Sequence, residues 1–248
     1  RRPRRATTRH ARPARANAGS AAAASSRACP AAAKSGSRHV DDFRKTAPRG
    51  SRISARMMIS VVIPTLNSAA HLPRTLAPLV HGVGEGLIKQ VIIADGGSSD
   101  ETLAIADAAG CDVVSTDAGR AKQIRAGVNA SRANWLLLLY PNTELAQGWV
   151  AEAQRFMSAP QARKRAAAFR LTLEDDSPKA KRAEFWARLR AQLMKQPSGA
   201  QGLLISRLLY DALGGYPDMA QSEDIELARR IGRKRLFLLR SEAVTRSV

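Results

Sequence analysis

The stretch VIIADGGSSDET, Val91 to Thr102, decides how the fold of this chain is interpreted. Its first four residues are apolar and indicate a buried strand, which ends at Asp95. Gly96 and Gly97 then allow a tight turn. Two hypotheses fit this pattern. One is a plain connection between a strand and a helix. The other is a nucleotide site, in which Asp95 accepts a hydrogen bond from a nucleobase and the glycines let the ligand approach the backbone.

Strand and helix patterns alternate along the chain around this stretch. Strands are predicted for six short apolar runs, namely Ile59–Pro64, Val91–Asp95, Asp112–Ser115, Trp135–Leu139, Ala166–Leu171 and Gln201–Arg207. Helices are predicted for five segments, namely Ala70–Val80, Asp100–Ala109, Gly119–Ser131, Lys179–Lys195 and Ser222–Ile231. Pro78 is expected to bend or end the first helix. The alternation predicts an α/β fold with a mostly parallel central sheet flanked by helices.

Polar residues are predicted to gather along one edge of this sheet. In a doubly wound sheet, ligands bind outside the carboxyl ends of the strands. Asp95, the turn Tyr140–Glu144 and the pair Glu223 and Asp224 fall at or near such ends. The glycine pattern matches neither a P-loop nor a dinucleotide fingerprint, which argues against ATPase and dehydrogenase functions.

The formal net charge of +19 is unevenly distributed along the chain. Residues 1–56 hold 15 Lys or Arg against two acids, a net charge of +13, which leaves +6 for the rest. Their Arg, Ala, Ser and Pro composition predicts a disordered tail over residues 1–57, followed by a domain over residues 58–248. The tail fits a phosphate-binding arm, an organellar transit peptide or translated upstream sequence. We favour the last, with the functional start at Met57 or Met58, because the first strand follows at once.

Several function classes are disfavoured by the same composition. Cys29 and Cys111 are too few for a disulfide framework or a zinc site, and Cys111 is expected to be a buried thiol. The charge is concentrated in the tail and no aromatic platform or recognition helix appears, so no specific nucleic-acid partner is expected. The chain has no apolar stretch of about 18 residues, which predicts a cytoplasmic protein. The basic face of Lys179–Lys195 fits either a solvated surface or peripheral contact with the inner face of a membrane.

Six blocks of the sequence, in this order, resemble successive blocks of a family 2 glycosyltransferase. The blocks are ISVVIPTLNSAAHLPRTL, QVIIADGGSSDETLAIA, GRAKQIRAGVNAS, WLLLLYPNTEL, QGLLISRLLYDALGGYPDM and SEDIELARRI. They most resemble the short bacterial branch of that family, whose second strand ends in Asp-Gly-Gly-Ser, and they span Met58 to about Val244. The resemblance implies a Rossmann-like GT-A fold and a nucleoside-diphosphate sugar as the donor. Because relatives often continue beyond the last strand, a chain truncated on the acceptor side is expected.

The resemblance also implies which residues bind the nucleotide. Pro64 and Asn67, after the first strand, match the turn that lines the nucleobase. Asp95 matches an acid that reads the edge of a uracil-type base, with Gly96 beside it. Arg120 matches a basic residue near the base and the phosphates.

Glu223 and Asp224 match the acidic pair that opens the late helix of the family, which makes them the candidate catalytic residues. By this resemblance Asp224 is the general base of an inverting transferase. It deprotonates an acceptor hydroxyl, which attacks the anomeric carbon and expels a nucleoside diphosphate. The acceptor, saccharide or lipid-linked, and the oligomeric state stay open.

The metal position departs from the family pattern. Relatives carry an acid near the end of the fourth strand, where it binds a divalent cation, but Asn142 stands there in this chain. Magnesium or manganese bound to phosphates usually takes carboxylate ligands. Glu144, two residues later, is a candidate substitute on the same side of a strand. Two hypotheses therefore stay open: a transferase with weakened binding of manganese or magnesium, and a catalytically impaired relative that still binds nucleotide sugars.

Overall fold

The computed structural model describes residues 57–174, 182, 199–217 and 223–245. The strands within these ranges are β1 (Ile59–Thr65), β2 (Ile88–Asp95), β3 (Asp112–Ser115), β4 (Trp135–Leu138), β5 (Thr143–Leu145), β6 (Ala166–Leu173), β7 (Leu203–Ser206) and β8 (Leu236–Thr245). The helices are α1 (Leu72–Gly84), α2 (Thr102–Ala108), α3 (Arg120–Ala130), α4 (Trp149–Ser158), α5 (Arg207–Ala212) and α6 (Glu223–Ile231). None of the helices described here is long and apolar enough to cross a membrane.

Two of the sequence predictions cannot be compared with these elements. The disordered tail over residues 1–57 lies outside the described residues, apart from Met57. The helix over Lys179–Lys195, with its suggested membrane contact, also lies outside them, apart from Arg182.

The strands form one sheet in the order β3-β2-β1-β4-β7-β6-β8-β5. β1 pairs in parallel with β2 and β4, and β2 pairs in parallel with β3. β7 is antiparallel to both of its neighbours, and β5 is antiparallel to β8. The carboxyl ends of β1 to β4 therefore meet at one edge of the sheet, here called the site edge. This arrangement confirms the predicted α/β fold with a mostly parallel sheet.

Apolar side chains cover both faces of the sheet. Along β1, Val61 and Ile63 belong to one buried cluster, whereas Val62 between them belongs to the cluster on the opposite face. A strand that is covered on both faces is expected to be continuously apolar, as β1 is. Gly127 allows α3 to approach the sheet closely, because a Cβ there would lie 2.5 Å from Cγ1 of Val62. The tight packing of α3 against β1 fixes the start of that helix at the site edge.

The sequence predicted that Pro78 bends or ends the first helix, but the helix does not end at Pro78. α1 continues through Pro78 to Gly84. A proline inside a helix removes one backbone hydrogen bond. The loss is tolerated here because Leu79 is fully buried and the carbonyl of Pro78 accepts a hydrogen bond from Nε1 of Trp149 at 3.1 Å. The packing of α1 therefore outweighs the tendency of proline to end a helix.

Candidate active site

A cleft of about 430 Å³ opens at the site edge. The turns after β1 and β4 and the first turn of α3 form its walls. Its lining residues include Pro64, Asn67, Arg120, Gln123, Tyr140 and Asn142. Four residues that were predicted from the sequence to serve the site thus lie together, although they come from three separate segments.

Asp95 does not present its carboxylate to this cleft, contrary to the prediction that it accepts from a nucleobase. Only 1% of the residue is exposed, and its side chain already accepts four hydrogen bonds. The donors are Oγ1 of Thr65 at 2.9 Å, the backbone N–H of Gly97 at 2.9 Å, and both the N–H and Oγ of Ser98 at 2.8 and 2.6 Å. Four bonds fill the acceptor sites of a carboxylate. Asp95 therefore shapes the turn behind the cleft.

These hydrogen bonds also determine the ionisation of Asp95. Burial alone would raise the pKa of its carboxyl. The hydrogen bonds from Ser98, Thr65 and Gly97 outweigh burial and hold the pKa below its usual value. Asp95 is thus a stable anion at neutral pH, and it joins the turn after β2 to the end of β1.

Asn67 links the same two turns at the surface of the cleft. Its backbone has φ of 47°, a left-handed conformation that asparagine tolerates better than most residues. Its N–H donates to Oγ of Ser98 at 2.8 Å, and its Oδ1 accepts from the N–H of Ser99 at 2.9 Å. The predicted nucleobase turn is therefore held rigidly in place by the Gly-Gly-Ser-Ser turn.

Gln123 is a residue of the site that sequence reasoning missed. It is buried on α3, and its Nε2 donates to the carbonyls of Thr65 at 2.6 Å and Ala94 at 2.9 Å. A Cβ at Gly96 would lie 3.0 Å from this nitrogen, so the first glycine of the turn makes room for Gln123. The signal in the sequence was a polar residue four positions before Gly127, on the inward face of the helix.

Glu223 and Asp224 belong to a cluster that reaches the cleft through Arg120 and Tyr140, whereas neither acid lines the cleft itself. Nη1 of Arg120 lies 3.1 Å from Oε1 of Glu223, and its guanidinium carbon lies 4.7 Å from the centroid of the Tyr140 ring. The hydroxyl of Tyr140 donates to Oδ2 of Asp224. The hydroxyl of Tyr216 donates to Oδ1 of Asp224 at 2.5 Å. The start of α3 is thereby connected to the start of α6 through side chains alone.

Both tyrosines of this cluster stay protonated at neutral pH. Burial, reinforced by the charge of Asp224, raises the pKa of Tyr140 well above its usual value. The same two causes raise the pKa of Tyr216. Their hydroxyls are therefore permanent donors to Asp224. Neither tyrosine was predicted as a site residue, although both stand in the sequence blocks that carried the family resemblance.

Glu144 does not line the cleft, as a substitute metal ligand would have to. It lies in β5 beside a separate small cavity of about 10 Å³, which Asn142 also lines. Its Oε2 lies 3.4 Å from Nε of Arg74, whose Nη1 lies 3.6 Å from Oε1 of Glu174. A cation placed there would meet the positive charge of Arg74.

The residues described at the cleft do not fit a magnesium or manganese ion. Asn142 supplies a neutral amide, the carboxylate of Asp95 is saturated, and Glu144 is turned towards Arg74. Across the described ranges, no group of three or more His, Cys, Asp or Glu side chains could hold a metal ion. The departure from the family pattern at Asn142 is therefore not compensated by a neighbouring acid of the described chain.

Comparisons with known proteins agree with this architecture. TarS from S. aureus, residues 1–349, superimposes with a TM-score of 0.60 at 15% identity, over 77% of this chain and 60% of that one. Glucosyl-3-phosphoglycerate synthase from Mycobacterium tuberculosis, solved with Mn²⁺, UDP and glucosyl-3-phosphoglycerate, gives 0.55 at 19% identity, over 77% of this chain and 72% of that one. At such low identity these structures show a shared fold, which is the GT-A fold.

Sequence comparisons point to the same family. A "PGL/p-HBAD biosynthesis glycosyltransferase" of Mycobacterium tuberculosis is 35% identical over 92 residues, and one of Mycobacterium bovis matches equally. The matched region is 34% of this chain and about a third, 35%, of the length of those relatives. The model of "Glycosyl transferase family 2" matches residues 60–202, more than half of the chain. Membership of the short bacterial branch stays a prediction, but the chain itself belongs to glycosyl transferase family 2.

Proposed function

We propose that this chain transfers a sugar from a nucleoside-diphosphate sugar to an acceptor hydroxyl, with inversion, in the cleft at the site edge. The observation that carries the proposal is that Tyr140 contacts both charged groups. The guanidinium of Arg120 lies over its ring, and Asp224 accepts a hydrogen bond from its hydroxyl. A cation for a leaving diphosphate thus lines the cleft, and a carboxylate for an acceptor hydroxyl is held by the hydroxyl of a tyrosine that lines it. TarS has been solved with UDP and with UDP-GlcNAc, which makes a uridine donor the first to test.

The nucleobase is proposed to lie against Pro64 and Asn67, which line the cleft where β1 ends. The glycine turn lies beside them, since Asn67 is bonded to Ser98 and Ser99. In this account Asp95 and Gly96 act as supports, because Asp95 holds the turn and Gly96 makes room for Gln123.

The diphosphate is proposed to lie at the start of α3. Arg120 is the first residue of that helix, and no side chain caps the helix there. The unpaired N–H groups and the positive end of the helix dipole favour an anion at such a position. Because the described residues do not fit a divalent cation, the charge that Arg120 and the helix supply is assigned the role of stabilising the leaving group.

Asp224 is proposed to take the proton from the acceptor hydroxyl. The acceptor oxygen then forms a bond to the anomeric carbon, on the face opposite the diphosphate. The bond between that carbon and the diphosphate oxygen breaks, and its electron pair leaves with the nucleoside diphosphate. Glu223 contributes by accepting a hydrogen bond from Nη1 of Arg120 at 3.1 Å, which holds the guanidinium beside the leaving group.

A second candidate function is binding of a nucleotide sugar without turnover. It is favoured by the missing carboxylate at Asn142 and by the two tyrosine hydroxyls that already occupy Asp224. Under this hypothesis the cleft holds the donor but Asp224 does not reach an acceptor.

A titration panel tests both candidates. Calorimetry with UDP, GDP and their sugars, in manganese and in EDTA, is followed by a transfer assay with simple saccharide acceptors and lipid-linked acceptors. We expect a nucleoside-diphosphate sugar to bind and its sugar to be transferred to an acceptor. Binding with no turnover on any acceptor would select the second candidate, and failure of every nucleotide to bind would contradict both.

A further inference from the structure

We propose that Tyr140 is a positioning residue that couples the two halves of the site, an inference that rests on the function proposed above. Its ring supports Arg120 against the leaving diphosphate, and its hydroxyl orients Asp224 towards the acceptor hydroxyl. Tyr140 forms no bond to the reacting atoms in this account. It fixes the relative placement of the two charged groups that do the chemistry.

The ring of Tyr140 restrains a long and mobile side chain. Arg120 is half exposed, at 52%, so water alone would leave its guanidinium free to adopt many rotamers. The guanidinium carbon lies 4.7 Å from the ring centroid, within the range of a cation–π contact. Glu223 holds one nitrogen of the same group at 3.1 Å. A planar contact and an ion pair together fix both the place and the tilt of the cation.

The hydroxyl of Tyr140 restrains the carboxylate from the other direction. Oδ2 of Asp224 accepts from Tyr140, and Oδ1 accepts from Tyr216 at 2.5 Å. Two donors on the two oxygens define the plane of the carboxylate and prevent its rotation. About two of its four acceptor sites stay available for the hydroxyl of an acceptor. Asp224 is therefore oriented before any substrate arrives.

Tyr216 provides an internal comparison for Tyr140. It is 3% exposed, its N–H donates to the hydroxyl of Tyr210 at 3.2 Å, and its own hydroxyl donates to Asp224. It does not line the cleft, whereas Tyr140 does. Loss of the Tyr216 hydroxyl should therefore disturb the base alone, whereas loss of the Tyr140 side chain should disturb both the base and Arg120.

The test separates the ring of Tyr140 from its hydroxyl. Tyr140→Phe keeps the ring, so kcat should fall about ten- to a hundredfold while the KM for the donor changes less than about twofold. Tyr216→Phe should do the same. Tyr140→Leu removes the ring as well, so the donor KM should also rise about fivefold. Arg120→Lys keeps the charge but loses the planar contact, and should raise the donor KM without any change at Tyr140.

Each outcome supports or overturns the coupling. Full kcat in Tyr140→Phe, or an unchanged donor KM in both Tyr140→Leu and Arg120→Lys, would overturn it. Circular dichroism of every variant identifies those that fail to fold. If Tyr140→Leu fails to fold, the donor KM of Arg120→Lys is used in its place. Failure of the proposed function is recognised separately, because Asp224→Asn would then keep full turnover or the unaltered protein would bind no nucleotide.

Discussion

Arg120 and Glu223, which lie 103 positions apart in the sequence, are joined at 3.1 Å by an ion pair. Only 3% of the Glu223 side chain is exposed, whereas 52% of the Arg120 side chain is. The buried acid thus holds a cation that still reaches the cleft. The pair ties the start of α3 to the start of α6, and it holds the proposed diphosphate site near the proposed base.

Glu223→Gln tests this pair. The amide keeps the shape and a hydrogen-bond acceptor but loses the charge, so we expect the free energy of unfolding to fall by about 1–2 kcal/mol. Glu226→Gln is the matched control in the same helix. Its intrahelical ion pairs with Arg229 and Arg230 lie at the surface and should contribute less than the buried pair of Glu223. Denaturant titration measures both. Equal losses of unfolding free energy in the two variants would show that burial of Glu223 does not strengthen its ion pair with Arg120.

Gln123→Leu tests the link between α3 and the two central strands. The substitution has nearly the same volume but removes the two hydrogen bonds that Nε2 donates to the carbonyls of Thr65 and Ala94, although Thr65 still accepts from the N–H of Gly96 at 2.9 Å. We expect a loss of about 1–3 kcal/mol in the free energy of unfolding, because each of the two lost hydrogen bonds contributes about 0.5–1.5 kcal/mol. Lys122→Leu, at an exposed neighbouring position, is the control. A loss below about 1 kcal/mol for Gln123→Leu would contradict the assigned role.

The ionisation of Asp95 predicts a pH dependence of stability. Because its folded-state pKa lies below the unfolded value of about 3.9, its contribution is complete above that pH and is lost as the pH falls through the folded pKa. Asp95→Asn should be about 2–3 kcal/mol less stable than the original protein at pH 7, and this gap should narrow below pH ~4. Asp107→Asn, at an exposed position of α2, is the control. A gap that stays constant from pH 7 to pH 3 would refute the prediction.

The misfit of the cleft to a divalent cation predicts how nucleotide binding responds to metal. Replacing manganese with EDTA should change the Kd for a nucleoside diphosphate by less than about twofold, whereas loss of a true metal bridge would cost about tenfold or more. Asn142→Asp supplies the missing carboxylate and should make binding manganese-dependent, measured by calorimetry. A strong manganese requirement in the unaltered protein would contradict this prediction.

The fold was largely predictable because its signals are local. The apolar runs of β1, β2 and β4 and the alternation with helices are set by residues that are adjacent in sequence. The family resemblance joined these segments in the correct order. The predicted elements did not include β5, β8, α4 or α5. At Pro78, buried packing against Trp149 outweighs the helix-breaking tendency of one residue.

The site was predictable in position but not in detail. Polar residues at strand ends correctly indicated which edge carries the cleft. The hydrogen-bond partners of each side chain could not be predicted, because they depend on contacts between segments that are distant in the sequence. Asp95 looked available in the sequence, yet Thr65, Gly97 and Ser98 saturate its carboxylate. Tyr216 carried no prediction, yet its hydroxyl donates to Asp224.

Sugar transfer by Asp224→Asn tests the central claim most directly. The amide keeps the size of the side chain but cannot accept the proton of an acceptor hydroxyl. We expect kcat to fall at least about a hundredfold while the calorimetric Kd for the donor nucleotide stays within about twofold. Circular dichroism confirms that the variant is folded. Turnover at the unaltered rate, with normal donor binding, would contradict the assignment of Asp224 as the base.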